Sequence, residues 1–219
     1  MPQTPAGSSK RFARTASSHT TSLTYTADPN YIHTKGSTMS AATTPATETA
    51  HASTRDAAEA SVEAARRHLL ARGWSGEVLE FEESTATVEL AAVKVGTEPA
   101  RIAKTLGFYD PSEPARAVLV VAAGDVKVNG GAFKRTFGGK PRMLQGDDVL
   151  ALTGHPIGGV CPFANAPSAR VFLDESLRRF ETVYPAAGTS TSAVQIHLSD
   201  LERLSDAEGW VDVATGWRE

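Results

Sequence analysis

Cysteine is all but missing: Cys161 stands alone among 219 residues. A lone thiol closes no intrachain disulfide, which excludes the small stapled secreted folds and cysteine-type zinc sites, and it fits a reducing cytosol. Long apolar runs are missing as well. The longest, Ala117 to Ala123, falls far short of the roughly 18 residues that a membrane-crossing helix needs, so the expectation is a soluble, cytoplasmic protein. The six histidines form neither an H-x-x-x-H nor an H-E-x-x-H spacing; no metal and no cofactor are expected.

A charge of one sign is also lacking, the formal net charge being -3. That value hides a division. Residues 1–55 hold Lys10, Arg11, Arg14, Lys35 and Arg55 against Asp28 and Glu48, so residues 56–219 are net acidic. A uniformly basic nucleic-acid binder is excluded, and contact with nucleic acid must use a local patch. Such a patch exists: Lys127, Lys134, Arg135, Lys140 and Arg142 fall in a stretch, 126–146, with no acidic residue. Beside Gly138 and Gly139 these cations can track a sugar–phosphate backbone, or they can form a solvated face.

Residues 1–55 are rich in Ser, Thr, Ala, Pro and Gly with no sustained apolar period, so ordering them loses chain entropy without burial, and a disordered tail is predicted. The first 27 residues have the composition of an organelle transit peptide, while Met39 offers an alternative start. From Asp56, a potential helix cap, Val62, Ala65 and Leu69 form one apolar helical face that Gly73 ends. Short elements follow: a strand over 77–81, a helix over 88–95, a helix over 98–103, a strand over 117–123 apolar on both faces, helical turns over 130–137 and a helix over 147–152. Strands near 171–173, 181–184, 194–196 and 211–213 complete the pattern, with a helix opened by a Ser199/Glu202 capping box. Mixed strands and short irregular helices predict an α+β fold rather than regular βαβ units.

Two features carry chemistry. Lys104 lies within Ile102-Ala103-Lys104-Thr105-Leu106, a cation among apolar neighbours. An unpaired buried ammonium is costly, so Lys104 faces a cleft, a carboxylate or an anionic ligand, or else snorkels to water. The segment Gly154-His155-Pro156-Ile157-Gly158-Gly159-Val160-Cys161-Pro162-Phe163 concentrates glycine and proline, which lets successive N–H groups converge on an oxygen. It could equally be a rigid connection. Within it Cys161 and His155 form a conceivable nucleophilic dyad, although a small buried thiol is the commoner case. Asp174-Glu175 reads as a helix cap.

Taken in order, these segments resemble the YbaK/prolyl-tRNA-synthetase-associated family of aminoacyl-tRNA editing domains. The resemblance rests on the lysine segment, the strand 117–123 with Gly124-Asp125, Lys127-Val128-Asn129, the Gly158 to Pro162 loop, and Val171-Phe172-Leu173-Asp174-Glu175. Val183 to Gly188 and Ser199-Asp200-Leu201 also match. It implies one YbaK-like domain over 56–219, with a mixed, strongly curved sheet flanked by short helices.

The activity implied is a trans-editing deacylase that hydrolyses the ester between a wrongly attached small amino acid and the 3′ end of a tRNA, tRNA-Pro being a candidate. On this resemblance Lys104 is the key functional side chain. Gly158 and Gly159 offer backbone N–H groups to the carbonyl oxygen, and Thr105, His155, Val160, Cys161 and Pro162 line the aminoacyl pocket. Partners implied are the aminoacyl-tRNA 3′ end and a synthetase or elongation factor, with no membrane and no DNA. The family commonly has serine at the position of Cys161, which weakens the thiol as nucleophile. Members similar to the cysteinyl-tRNA(Pro) deacylase carry a serine and an aspartate where this chain has Ala186 and Ala193, and an aromatic near Thr87. A cysteine-specific pocket is therefore not expected. Two other readings stand beside deacylation: a non-catalytic tRNA-binding or regulatory module of the same fold, and a small-molecule esterase or Schiff-base enzyme using Lys104.

Overall fold

Seven consecutive apolar residues can be hidden only in a strand covered on both faces and both edges, and the chain does this with Ala117–Ala123 (β3), every residue of which is inaccessible to solvent. The computed structural model describes residues 46–218, with side chains from Asp56 onward. Expectations about a tail, a targeting segment and a start at Met39 lie outside the described residues as far as residue 45.

In chain order the earlier elements are α1 (Ala46–Ala71), β1 (Val78–Glu80), α2 (Val88–Val95) and β2 (Ile102–Tyr109), which precede β3. The later ones are β4 (Lys127–Val128), α3 (Gly130–Phe137), α4 (Asp148–Thr153), β5 (Ala169–Asp174), β6 (Thr182–Pro185), β7 (Ser192–Val194), β8 (Ile196–His197), α5 (Leu198–Leu204), β9 (Gly209–Val211) and β10 (Ala214–Thr215). Six strands form a mixed, curled sheet in the order β8-β6-β2-β3-β5-β9. The pair β2/β3 is antiparallel through seven registered positions, from Ala103 opposite Ala123 to Tyr109 opposite Ala117. On its far side β3 runs parallel to β5, which runs parallel to β9. Two antiparallel pairs, β1 with β7 and β4 with β10, extend the margins. This is the expected α+β class.

The core follows the sequence pattern closely. Val62, Ala65 and Leu69 are the buried face of α1, and Phe133 of α3 stacks between Phe108 and Phe137, with Phe137 in turn against Phe172. Helix α2 spans the expected 88–95; it is capped by the Thr87 hydroxyl, which accepts the Leu90 N–H, and closed by left-handed Gly96.

Five local expectations need correction. Helix α1 begins at Ala46, so Asp56 sits inside it and caps nothing. The helix expected over 98–103 shrinks to a single 3-10 turn, Pro99–Arg101, because Ile102 and Ala103 are drawn into β2 by pairing with β3 and β6. Helix α5 is capped by the His197 ring, which accepts from the Ser199 N–H, in place of the Ser199/Glu202 box. The strand expected at 194–196 is two strands, β7 and β8, that pair with different partners, and the last strands are β9 and β10 in place of one at 211–213.

Candidate active site

A gap in the sheet creates the site. Along one edge β2 pairs continuously with β3; along the other, Ile102 and Ala103 pair with Tyr184 and Pro185, and Phe108 bridges Met143. Between these two contacts no strand covers Lys104 to Leu106 among the described residues. The space is roofed by the start of α2, the Ile157–Val160 turn and the segment from Tyr184 to Ala193, leaving a cavity of about 390 Å³. That lies in the size range of small-molecule sites. Its walls are mostly small or apolar: Val88, Ala91, Leu144, Val160, Ala186 and Ala193.

Lys104 is the cation lining this cavity, and its placement resolves the choice left by the sequence. The half-buried ammonium neither floats in water nor sits on a carboxylate: Nζ donates to the Gly124 carbonyl at 2.9 Å and to the Val126 carbonyl. Burial pulls its pKa below the usual lysine range, the fields of Asp125 and Glu89 oppose that, and Lys127 adds to it. Glycine is required in this clamp, since a Cβ at 124 would stand 2.0 Å from the Pro99 carbonyl oxygen.

The glycine-rich loop divides into residues that reach the cavity and residues that hold it. Gly158, at φ +83°, and Val160 line the cavity with Lys104 and Thr105. The Thr105 hydroxyl is buried without a hydrogen-bond partner. Gly159 does not reach the cavity. Its N–H donates to Pro156 O at 2.9 Å, closing the turn, and its Cα faces the Gly188 carbonyl so closely that a Cβ would lie 2.3 Å from that oxygen. The N–H expected to meet a substrate carbonyl is thus already used.

His155, Cys161 and Pro162 are also away from the cavity, contrary to the pocket roles implied by the resemblance. His155 is buried, its Nε2–H donating to Phe163 O at 2.8 Å and its Nδ1 accepting from the Ser61 hydroxyl at 2.8 Å. Phe163 O can only accept, so the ring is the neutral Nε2–H tautomer. The Cys161 thiol is inaccessible, donates to Phe163 O, and burial pushes its pKa up to about 12. Pro162 lines a separate cavity of about 240 Å³ beside His68 and Arg72. In the sequence these residues read like Gly158 because glycine-loop composition does not say which face looks inward.

Two expected results follow. Burial depresses His155 below its ordinary value of 6.5, with the Phe163 carbonyl opposing. The unfolded chain therefore takes up a proton first on acidification. The stability contributed by neutral His155 is complete above about 6.5 and is lost as pH falls toward the depressed folded value. Denaturant unfolding at about pH 7.5 and about pH 5.5 measures this, and His155→Gln flattens the dependence. The buried thiol is expected to label with maleimide only on unfolding, and Cys161→Ala to cost about 1 kcal/mol of stability, read from the denaturant midpoint.

All five patch cations, Lys127, Lys134, Arg135, Lys140 and Arg142, are exposed, and none forms an ion pair among the described residues. The patch adjoins the cavity at both ends: Lys127 lies within the field of Lys104, and Arg142, resting on the Tyr109 ring, precedes the wall residues Met143 and Leu144. Sequence reasoning missed Met143, Leu144 and Ile157 as wall residues, since an isolated apolar side chain, exposed as Met143 and Ile157 are or buried as Leu144 is, carries no mark of its neighbours. It also missed Ser61 as the partner of His155.

The curled mixed sheet, with Lys104 of its opened edge in the wall of a small-walled cavity, is the framework on which the likenesses to known proteins bear. The chain belongs to the aminoacyl-tRNA editing domain family, whose model matches residues 82–204. It is 44% identical over 157 residues to the uncharacterised protein YwhH of Bacillus subtilis (strain 168), a match covering 72% of this chain and 99% of YwhH. A solved structure described as a candidate trans-editing enzyme for prolyl-tRNA synthetase is 30% identical, with a TM-score of 0.64, covering 71% of this chain and 98% of that one. Another, hypothetical protein APE2540, is 28% identical with a TM-score of 0.62, covering 69% and 99%. Among the described residues no helix is long and apolar enough to cross a membrane, and no group of three His, Cys, Asp or Glu gathers as metal ligands.

Proposed function

We propose that the protein is a trans-editing deacylase, cleaving the ester that links a small, wrongly attached amino acid to the 3′ end of a tRNA. The family and the trans-editing neighbour support deacylase-like activity. The observation that carries the reading is Lys104, half-buried with its ammonium held on two backbone carbonyls, in the wall of a cavity of about 390 Å³ that Gly158 also lines.

An aminoacyl ester is already activated, so orientation and charge stabilisation suffice. Water adds to the ester carbonyl, and the C–O bond to the ribose breaks as the ribose oxygen takes a proton, releasing the amino acid and the uncharged tRNA end. Lys104 supplies positive charge to the oxyanion or to the adjoining phosphate. The Gly158 N–H, which has no backbone acceptor among the described residues, is the loop donor suited to the carbonyl oxygen. A ribose hydroxyl of the substrate helps activate the water. Ala186 and Ala193 in the wall offer the aminoacyl side chain no polar partner, so discrimination rests on fit, where one methylene is worth only about 1–3 kcal/mol.

The acceptor strand follows the Lys127 to Arg142 patch, and its affinity falls as salt rises. A synthetase or elongation factor delivers the charged tRNA. The neighbour's description as a trans-editing enzyme for prolyl-tRNA synthetase makes tRNA-Pro the first tRNA to try. The test is a deacylation panel of Ala-, Ser-, Thr- and Cys-charged tRNAs at fixed salt. Turnover of at least one small aminoacyl ester is expected. Tight binding without cleavage of any of them overturns deacylation in favour of a binding module.

A further inference from the structure

Lys104 has an acidic neighbour that does not hold it. Asp125 sits between Gly124 and Val126, the two residues whose carbonyls take the ammonium, and the fields of Lys104 and Asp125 reach each other. An ammonium beside a free carboxylate would ordinarily close onto it, because a full opposite charge attracts a cation more strongly than a carbonyl dipole does.

Both oxygens of Asp125 are occupied instead: Arg179 donates from Nη2 to Oδ1 at 2.6 Å and from Nη1 to Oδ2 at 2.9 Å. Arg179 is itself fixed. Its Nε donates to Ser176 O at 2.9 Å, and its guanidinium lies over the rings of Phe180 and Trp217. Ser176 in turn accepts the Ala123 N–H at the end of β3, tying the 3-10 turn Glu175–Arg179 to the Gly124–Val126 clamp.

We propose that Arg179 is a positioning residue for the editing site: by engaging both oxygens of Asp125 it prevents Lys104 from pairing with that carboxylate, and so leaves the ammonium on neutral carbonyls with its charge uncompensated toward the cavity. This rests on the reading of Lys104 as the cation of a deacylase. It assigns a role to an ion pair that would otherwise count as one more partly exposed surface bridge of little consequence. The Arg179 hydrogen bonds hold the Asp125 carboxyl below the usual range, and an aspartate freed of them is still ionised at neutral pH, so release leaves a charged acceptor beside Lys104. The other charged groups acting on Lys104 are Glu89 at the start of α2, which favours the ammonium, and Lys127 on β4, which opposes it.

The two halves of the pair move Lys104 in opposite directions, which a merely structural bridge does not do. In Arg179→Met the released carboxylate draws the ammonium away, and kcat/KM for the susceptible aminoacyl-tRNA falls about 10- to 100-fold. Arg179→Lys, which keeps the charge without the two-point grip, recovers part of the loss. Asp125→Asn added to Arg179→Met removes the captor and raises kcat/KM back toward wild type. The Lys104 side-chain titration, followed by carbon-13 NMR at Cε without any substrate, shifts upward in Arg179→Met and downward in Asp125→Asn. A double variant no faster than Arg179→Met, or a Lys104 titration unmoved in Arg179→Met, overturns the proposal. A wild-type protein inactive on every charged tRNA overturns the deacylase reading instead, and the titration alone then decides the role of Arg179.

Discussion

Lys104→Ala is expected to lower deacylation by about 10²- to 10³-fold, the usual cost of deleting one preorganised group that meets developing charge. The loss falls on turnover and not on folding. The ammonium bonds to the carbonyls of a turn at the open edge of a cavity, so water can take its place, and the stability change is about 1 kcal/mol. Circular dichroism and a denaturant midpoint close to wild type, with single-turnover deacylation nearly abolished, give the expected picture. A variant that retains turnover on every susceptible substrate removes Lys104 from the chemistry. The pH dependence has a fixed sign. Burial lowers the pKa of Lys104, so if the charged form works, kcat/KM falls on the alkaline side as that lowered pKa is crossed. A neutral lysine acting as base gives the opposite limb.

Gly159→Ala is expected to be the most damaging small change in the loop. The new methyl meets only backbone: Gly188 O at 2.3 Å, Gly188 C at 2.8 Å and Thr189 Cα at 3.0 Å. No side chain can rotate aside, so two segments must separate, at about 1–3 kcal/mol or more. The melting temperature falls about 2–4 °C for each kcal/mol in a chain of this size. Thr189 and Ser190 form part of the cavity wall, so KM rises together with the loss of stability. At Gly158 an added methyl lies an ordinary 3.5 Å from Ser190 Cβ, and the objection is the left-handed backbone alone. Gly158→Ala is therefore milder, and thermal melts of the two variants side by side rank them. Equal stability of Gly159→Ala and wild type contradicts the packing described.

Much of the fold could be read from residue order because local and global preferences agree there. The wholly apolar 117–123 segment reads as a buried strand, and the helix over 88–95 is observed with those bounds. Where they disagree, tertiary pairing wins. Residues 98–103 have helical start signals, yet the last two of them, Ile102 and Ala103, serve the sheet. The site was legible in part for the same reason. Lys104 stands out because a cation among apolar residues is costly, and the glycine loop stands out by composition. Which loop residues face inward depends on how Gly159 wedges against Gly188 and how His155 reaches Ser61, across 94 positions of chain. No local pattern encodes such a contact. Arg179 is hidden for a like reason, being one of many arginines until its partner is known.

The Ser61 contacts bear on where the working unit begins. Ser61 lies on α1, upstream of the stretch from 82 to 204 that the family description spans, yet its hydroxyl fixes His155 and its backbone packs against Gly188. The scaffold of the editing site thus starts well before the recognisable signature. A chain trimmed to that signature would retain the lysine and the glycine turn but lose the wall on which the turn leans.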